Sequence, residues 1–554
     1  MYLIDAGQLL AAVLIIVAAV LLGRTLAPYI VNVFTFGHSR LDKIFNPVEG
    51  WIYRIGGVDT DRRMGWREYF LSAIVVNLAQ MGVAFLILVF QGYLPLDPQG
   101  FRGLRWDLAL NTVVSFATNT NLQHYNGETT LSYLSQMTAI QFLQFTSAAT
   151  GICVAIAMVR GFMSGSKDVG NFYVDFVRTI TRILLPLCFA ASIALVAMGV
   201  PQTLGGYLTV RTVEGATESI LVGPVASLVS IMQIGTNGGG YYGANSAYPF
   251  QNPSPVSDIF ELLLMMLIPT ALIFVYGRLL GSRKESRPVL VGSYGIYIID
   301  LALAFIPATT LAAGMETRIG GFFSTFWTVT TTAMTTGSVN SSLSSMNPLA
   351  ILAGFVGMLV QSSPGGVGVG LMYMLMYIVM TVFLVGLMSG RTPEYLGIKI
   401  TAKDVKLVML AFLVHPIIIL VPTVLAYATG AAATVGAGTD AVGFTKVLYE
   451  FTSAAANNGS DFFGSSANTP FFNLSTAVVM FVGRYAPMAI LLALGGSMIG
   501  RRRASESALK TSSIAFSAVL IASIILLVVL TFFPVLVLGP ILSYLQGHAS
   551  GWGG

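Results

Sequence analysis

Two stretches carry the same pattern: IGTNGGGYYGANSAYPFQNP at 234–253 and AANNGSDFFGSSANTPFFN at 455–473. In the first, Gly238 is followed at +3, +4 and +5 by Tyr241, Tyr242 and Gly243. In the second, Gly459 is followed at the same offsets by Phe462, Phe463 and Gly464. Both then reach Pro at +11 (Pro249, Pro470), Phe at +12 (Phe250, Phe471) and Asn at +14 (Asn252, Asn473). Two further runs fall in line, one after LNTVVSFA and one after FWTVTTTAM. The four are Thr118, Asn119, Thr120, Asn121; Thr236, Asn237, Gly238, Gly239; Thr335, Thr336, Gly337, Ser338; and Asn457, Asn458, Gly459, Ser460. Aligned on their first residues, three runs have Gly in third place and the first has Thr120. Their separations, roughly 100–120 residues, are too long for a solenoid repeat. The alternative is four unrelated Gly/Asn-rich turns, a common feature of loops.

What surrounds the runs decides between these. Of the 554 residues, 55% are hydrophobic and 10% are charged, where a soluble domain carries about 25% charge. Mean hydropathy is +0.77. This excludes an ordinary soluble domain and a disordered chain. Apolar stretches long enough to span a bilayer, about 20 residues, occur near 7–27, 69–91, 130–158, 180–199, 258–280, 289–311, 370–388, 407–427, 474–499 and 512–538. The expected fold is an all-α polytopic membrane protein of about ten transmembrane helices. Each polar run ends a further apolar stretch too short to span, which reads as a re-entrant helix. Backbone leaves helix at membrane depth only where it is enclosed by protein or lines an aqueous cavity.

The chain then divides into an extra helix and loop (1–68), four units of helix, re-entrant pore loop and helix (69–160, 161–288, 289–403, 404–503), and a final extra helix (504–554). Four like-oriented units are expected to close around one pore. The first residues carry no Lys or Arg before Arg24, so the first segment reads as an uncleaved anchor. Of the 29 Lys and Arg, 23 fall between spans on one side, among them Arg40, Arg502 and Arg503. Five fall on the other side, and Arg484 lies within a span. The positive-inside rule places the 23 inside and both termini outside. That bias accounts for the net charge of +5 with no nucleic-acid partner.

Thr, Asn, Gly and Ser supply backbone carbonyls and neutral side-chain oxygens. Rings of such oxygens replace the hydration shell of a monovalent cation, and glycine lets carbonyls turn to one axis without a Cβ clash. A divalent ion would recruit more carboxylates. Asp461, beside the fourth run, is either an attractor of cations at the mouth or an ordinary loop acid. Asp300 and Arg484 lie within spans, where a charge costs about 2.5–3.5 kcal/mol, so each is expected to have a partner. Coupling to one another, directly or through water, is the expectation. The Gly365–Gly370 run falls where a helix interior belongs. It reads as a break and a mobile loop in the pore, or as a kink or close helix contact. His38, His124, His415 and His548 are scattered and read as structural or exposed, and Cys153 and Cys188 lie in apolar runs with no disulfide or zinc spacing.

The runs ATNTNLQ, IGTNGGGYYGANSAYPFQNP and AANNGSDFFGSSANTPFFN resemble those of the KdpA family, as do GRTPEYLGIKI at 390–400 and VGRYAPMAILLALGGSM at 482–498. KdpA proteins are the potassium-binding subunits of Kdp potassium-transporting ATPases, within the superfamily of potassium transporters. The resemblance covers nearly the whole chain. It implies ten membrane helices, four pore units flanked by one extra helix at each end, K+ as transported ligand with no covalent cofactor, and a bacterial inner-membrane complex. The implied partners are a P-type ATPase subunit and small accessory subunits. It also implies that Arg484 stops the ion below the filter and diverts it sideways to the ATPase subunit; the alternative is an arginine holding carbonyls at a helix break. One departure stands out. The family has a Gly-Glu pair before a Gly-Gly-Val-Gly-Ser-Gly run, whereas here the segment is LVQSSPGGVGVGLMYM. Gln361 takes the place of the acid and Val369 that of the serine, which makes Gln361, Gly365 and Gly366 candidates for control of the ion's path. No GxxxxGK[ST] loop, HExxH or Asp-Lys-Thr-Gly phosphorylation motif occurs, so ATP hydrolysis is not expected of this chain alone. A stand-alone potassium channel or ion-coupled transporter would use the same pore. An intramembrane enzyme is disfavoured by the lack of a nucleophile–base pair.

Overall fold

The computed structural model describes residues 5–38, 42–306, 315–501 and 510–547. Arg40, Arg502, Arg503, His548 and the end of the 289–311 stretch lie outside the described residues. Among the described residues, ten helices are long and apolar enough to cross a membrane: Ala6–Phe34, Trp66–Val89, Tyr133–Phe162, Phe172–Ala197, Pro255–Leu279, Arg283–Phe305, Val369–Met388, Ala402–Ala428, Pro470–Met498 and Ile514–Leu545. Each overlaps one of the ten apolar stretches, because in hydrocarbon a helix alone satisfies every backbone group within its own segment. Sheet is confined, among the described residues, to the hairpins Leu208–Arg211 with Thr217–Ile220 and Glu394–Tyr395 with Ile398–Lys399.

Between paired spans stand four short helices, Trp106–Ala117, Val225–Ile234, Gly321–Ala333 and Ala441–Ala456. At 10 to 16 residues they reach about 15–24 Å, short of a bilayer core. The helix after each polar run starts on a capping residue: Ser132, Ser254, Asn347 and Thr469, three of them followed by Pro at the first helical position. The side-chain oxygen takes up a free N–H, and proline loses nothing there because its nitrogen has no hydrogen to leave unpaired.

The third unit differs. Its second helix is two pieces, Pro348–Val360 and Val369–Met388, separated by 361–368. Gln361 ends the first piece in left-handed conformation (φ 55°), and Gly365 and Gly368 both have φ 82°. The glycine run therefore stands as a helix break.

Ala6–Phe34 packs along Pro255–Leu279, with Gly23 against the backbone at Thr270 and Ala271. Such small-residue contacts let helix backbones approach in the absence of a hydrophobic drive between them. Ile514–Leu545 packs on Arg283–Phe305 and Val369–Met388. Leu14, Val17, Leu21, Ile417 and Leu530 face outward, while Asn, Thr, Ser and Gln crowd the middle, an inversion suited to a bilayer.

Candidate functional site

Each short helix ends in the same cap. The N–H of Asn119, Thr236, Thr335 and Asn457 bonds back three residues, to Phe116, Gln233, Thr332 and Ala454. The next N–H, of Thr120, Asn237, Thr336 and Asn458, bonds back five, to Ser115, Met232, Thr331 and Ser453. This pair of bonds is a Schellman cap, which requires a left-handed residue. Asn119, Thr236, Thr335 and Asn457 supply it, with φ of 64°, 46°, 44° and 55°. Two residues on, a second left-handed position is filled by Asn121, Gly238, Gly337 and Gly459, with φ of 59°, 99°, 89° and 102°.

This corrects the alignment of the first run by one residue. Thr120 matches Asn237, Thr336 and Asn458, and Asn121 holds the place of the glycines. Asparagine is one of the few non-glycine residues that enters this region readily, so the substitution needs no different backbone. Leu122 stands level with Gly239, Ser338 and Ser460. Thr118 is level with Gly235, Met334 and Ala456, at the end of the helix. The matching Thr-Asn pairs at 118–119 and 236–237 favoured the earlier alignment.

The runs touch in cyclic order. Asn119 Nδ2 donates to the carbonyls of Gly235 (3.1 Å) and Thr236 (2.8 Å). A Cβ added at Gly238 would overlap the Thr336 carbonyl oxygen, one at Gly337 that of Asn458, and one at Gly459 that of Thr120. Asn457 Nδ2 also donates to Thr120 Oγ1 at 2.9 Å. The second run meets the third, the third the fourth, and the fourth the first.

Side chains from the surrounding helices fix this ring. Ser147 Oγ donates to Asn119 Oδ1 (2.9 Å) and approaches Asn237 Oδ1 (3.2 Å). Gln144 Nε2 donates to the Gly239 carbonyl at 2.7 Å, and Trp327 Nε1 to that of Ser338 at 2.8 Å. Tyr449 and Ser460 hydroxyls lie 2.8 Å apart. Gln233 links Ser338 Oγ (3.2 Å) to Glu261 (2.8 Å). His124 stands 2.7 Å from Asn473 Oδ1 and 3.1 Å from Glu450 Oε1.

At one end of the ring a cavity of about 550 Å³ is lined by Asn126, Gly243, Val339, Ser341, Asp461 and Ser465, among others. Its lining includes residues that follow each of the four short helices. Asp461 is half-buried there. Burial and the nearby Glu450 carboxylate push its carboxyl above the ordinary range, which weakens it as a fixed negative charge.

At the other end lies the helix break. The Val367 N–H donates to Thr236 Oγ1 at 3.0 Å and the Gly365 N–H to the Ala333 carbonyl at 2.9 Å. Gly366 faces Thr335 Oγ1 and Gly368 packs on the Gly151 carbonyl. Arg484, buried on Pro470–Met498, donates through Nη2 to the Ser147 carbonyl at 3.3 Å. Gly151 is wedged between that guanidinium and the Val367 carbonyl. Arg484, Gly365, Gly366 and the runs are thus brought together. Gln361 heads the same loop, its N–H on the Gly357 carbonyl at 3.1 Å.

Asp300 is not brought in. It is buried five residues before the end of Arg283–Phe305, and neither carboxylate oxygen has a hydrogen-bond partner among the described residues. Arg484 lies 14 residues into its own helix, about 21 Å along it. Among the described residues Arg484 and Asp300 form no direct ion pair, and the arginine donates to a backbone carbonyl.

The model of the potassium-transporting ATPase A subunit family, KdpA, matches residues 12–545. The chain belongs to the KdpA family. The potassium-transporting ATPase potassium-binding subunit of Caldanaerobacter subterraneus subsp. tengcongensis is 44% identical over 546 residues, covering 95% of this chain and 97% of its own. That of Geobacillus kaustophilus is 42% identical over 555 residues, covering 96% and 97%.

Several residues of this KdpA-family site carry no local signal in the sequence. Ser147, Gln233, Glu261, Tyr449 and Glu450 sit in apolar helices and reach partners 11 to 326 positions away. The Asn residues at +14 did carry one. Asn252 donates to Asp258 Oδ1 at 2.8 Å, and Asn473 donates to Asp107 Oδ2 at 3.0 Å, so both anchor the chain where it leaves its run.

Proposed function

We propose that this chain is the potassium-binding and potassium-translocating subunit of an ATP-driven uptake system in a bacterial inner membrane. In this reading both termini lie outside and K+ enters from the cavity near Asp461. The four runs form a pseudo-symmetric selectivity filter, and the ion passes beneath it, past Arg484 and the 361–368 loop, to a P-type ATPase subunit. The observation that carries it is the four identical caps in cyclic contact. Alternating left-handed residues let successive carbonyls turn to one side, and neutral oxygens suit a dehydrated monovalent ion. Thr336 Oγ1 is buried without a hydrogen-bond partner among the described residues, which leaves an oxygen for an ion or its water. Two relatives named as potassium-binding subunits support the same substrate. The ATP chemistry belongs to the partner, and the small accessory subunits complete the assembly.

The test is purification from the native membrane. A P-type ATPase chain should accompany this one, and ATP hydrolysis should rise with added K+ well before Na+ has an effect. A chain that purifies alone and conducts K+ in liposomes without ATP would be a channel, and the proposal would fail.

A further inference from the structure

Far from the filter, Arg24, Arg278, Arg283 and Arg287 line one cavity of about 280 Å³. They come from Ala6–Phe34, from the end of Pro255–Leu279 and from the start of Arg283–Phe305. None of the four is in an ion pair with a carboxylate among the described residues. Four like charges with no carboxylate paired to them among the described residues repel one another, and an anion in their midst relieves that repulsion. Guanidinium groups bind phosphate through paired, charge-assisted hydrogen bonds.

The rest of the cavity says which anion. Its other lining residues are Phe274, Ser286 and Leu290, and the Ser286 hydroxyl is already committed to the Ile273 carbonyl at 2.8 Å. On one flank Leu14, Val17 and Leu21 of Ala6–Phe34 point outward. On the other, Val291 and Ile298 of Arg283–Phe305 do the same. The basic cavity therefore sits at the end of two apolar surfaces that run along the bilayer. A free phosphate would use only the arginines. A phospholipid would use both, its phosphate among the guanidiniums and its acyl chains along the helices.

We propose that this cavity is a binding site for the phosphate of an anionic phospholipid, on the side that the basic-residue bias places inside. Basic pockets between membrane helices at that face suit such headgroups. A zwitterionic lipid carries its own cation beside the phosphate and competes poorly for four arginines.

The experiment is native mass spectrometry of the full complex in detergent, titrated with palmitoyl-oleoyl phosphatidylglycerol, with phosphatidylcholine of the same chains, and with inorganic phosphate. The wild type should retain one phosphatidylglycerol in clear preference to phosphatidylcholine. At about fivefold per charge, Arg278→Gln with Arg283→Gln should weaken that binding about 30-fold. Equal retention of the two lipids by the wild type, or unchanged phosphatidylglycerol binding in the double variant, overturns the site. If inorganic phosphate binds with the same arginine dependence and displaces the lipid at equal concentration, the cavity takes free phosphate and the lipid assignment falls. Should the double variant fail to fold, Arg24→Gln replaces an exposed side chain. It should cost about fivefold, and no change would be equally fatal.

Discussion

At Gly459 the ring leaves no room for a Cβ: the Thr120 carbonyl oxygen occupies that space, as the Thr336 carbonyl does at Gly238. Two costs add at these positions. A left-handed non-glycine residue costs about 1–2 kcal/mol, and the neighbouring carbonyl must move. Gly459→Ala and Gly238→Ala should each raise the half-saturating K+ of the ATPase by roughly tenfold or more, with the complex still assembled. Asn121→Gly keeps the backbone that Asn121 already adopts (φ 59°) and should change affinity far less. Thr120, which the sequence suggested as the odd residue of the set, instead accepts from Asn457 Nδ2. Residue types and spacing picked out the four runs, but not the register of the first. Two asparagines at 119 and 121 left open which of them bends the chain, and only the i−3 and i−5 bonds decide it. Titration with K+, rubidium, ammonium and Na+ is the measurement. Wild-type affinity and selectivity in both glycine variants would remove these runs as the filter.

Among the elements, the interrupted helix Pro348–Val360 and Val369–Met388 ties the polar runs to the helix that carries Gly151. Its loop bonds upward to Thr236 and Ala333 and packs sideways on Gly151, which in turn adjoins Arg484. The ten spans were legible because hydrocarbon demands long apolar segments, and the break was legible because glycine runs do not sustain a helix interior. What the loop touches was not legible, since Val367 and Thr236 are 131 residues apart. The same holds for the buried charges. The rule that each needs a partner does not say that the partner is a charge, and Arg484 uses the Ser147 carbonyl. If the loop is held by this close contact, Gly368→Ala should disturb it at once. Its Cβ would strike the Gly151 carbonyl, and the φ of 82° disfavours any side chain. Overpacking of this kind costs about 1–3 kcal/mol. Gly390→Ala has a comparable positive φ (64°) but nothing within 4 Å of its Cβ. The thermal midpoint of the purified complex should fall distinctly further for Gly368→Ala than for Gly390→Ala. Equal losses would mean that the contact does not hold the loop.

For the molecule as a whole, exposed residues on the two faces report which one meets the outside. The hairpin Leu208–Arg211 with Thr217–Ile220 belongs to the face that carries the Asp461 cavity. It is held there by the Tyr133 hydroxyl on the Val222 carbonyl (2.6 Å) and the Tyr242 hydroxyl on the Leu221 carbonyl (2.6 Å). Val213, in its turn, is fully exposed. Lys167, exposed between Tyr133–Phe162 and Phe172–Ala197, belongs to the opposite face. Both native cysteines, Cys153 and Cys188, are buried, so the unmodified chain provides the blank. The basic-residue bias puts Lys167 inside and the hairpin outside. Val213→Cys should therefore react with a membrane-impermeant thiol reagent in intact cells. Lys167→Cys should react only after the membrane is opened. The opposite pattern would turn the Asp461 cavity toward the cell interior, and K+ could not enter the filter from outside along the path proposed here.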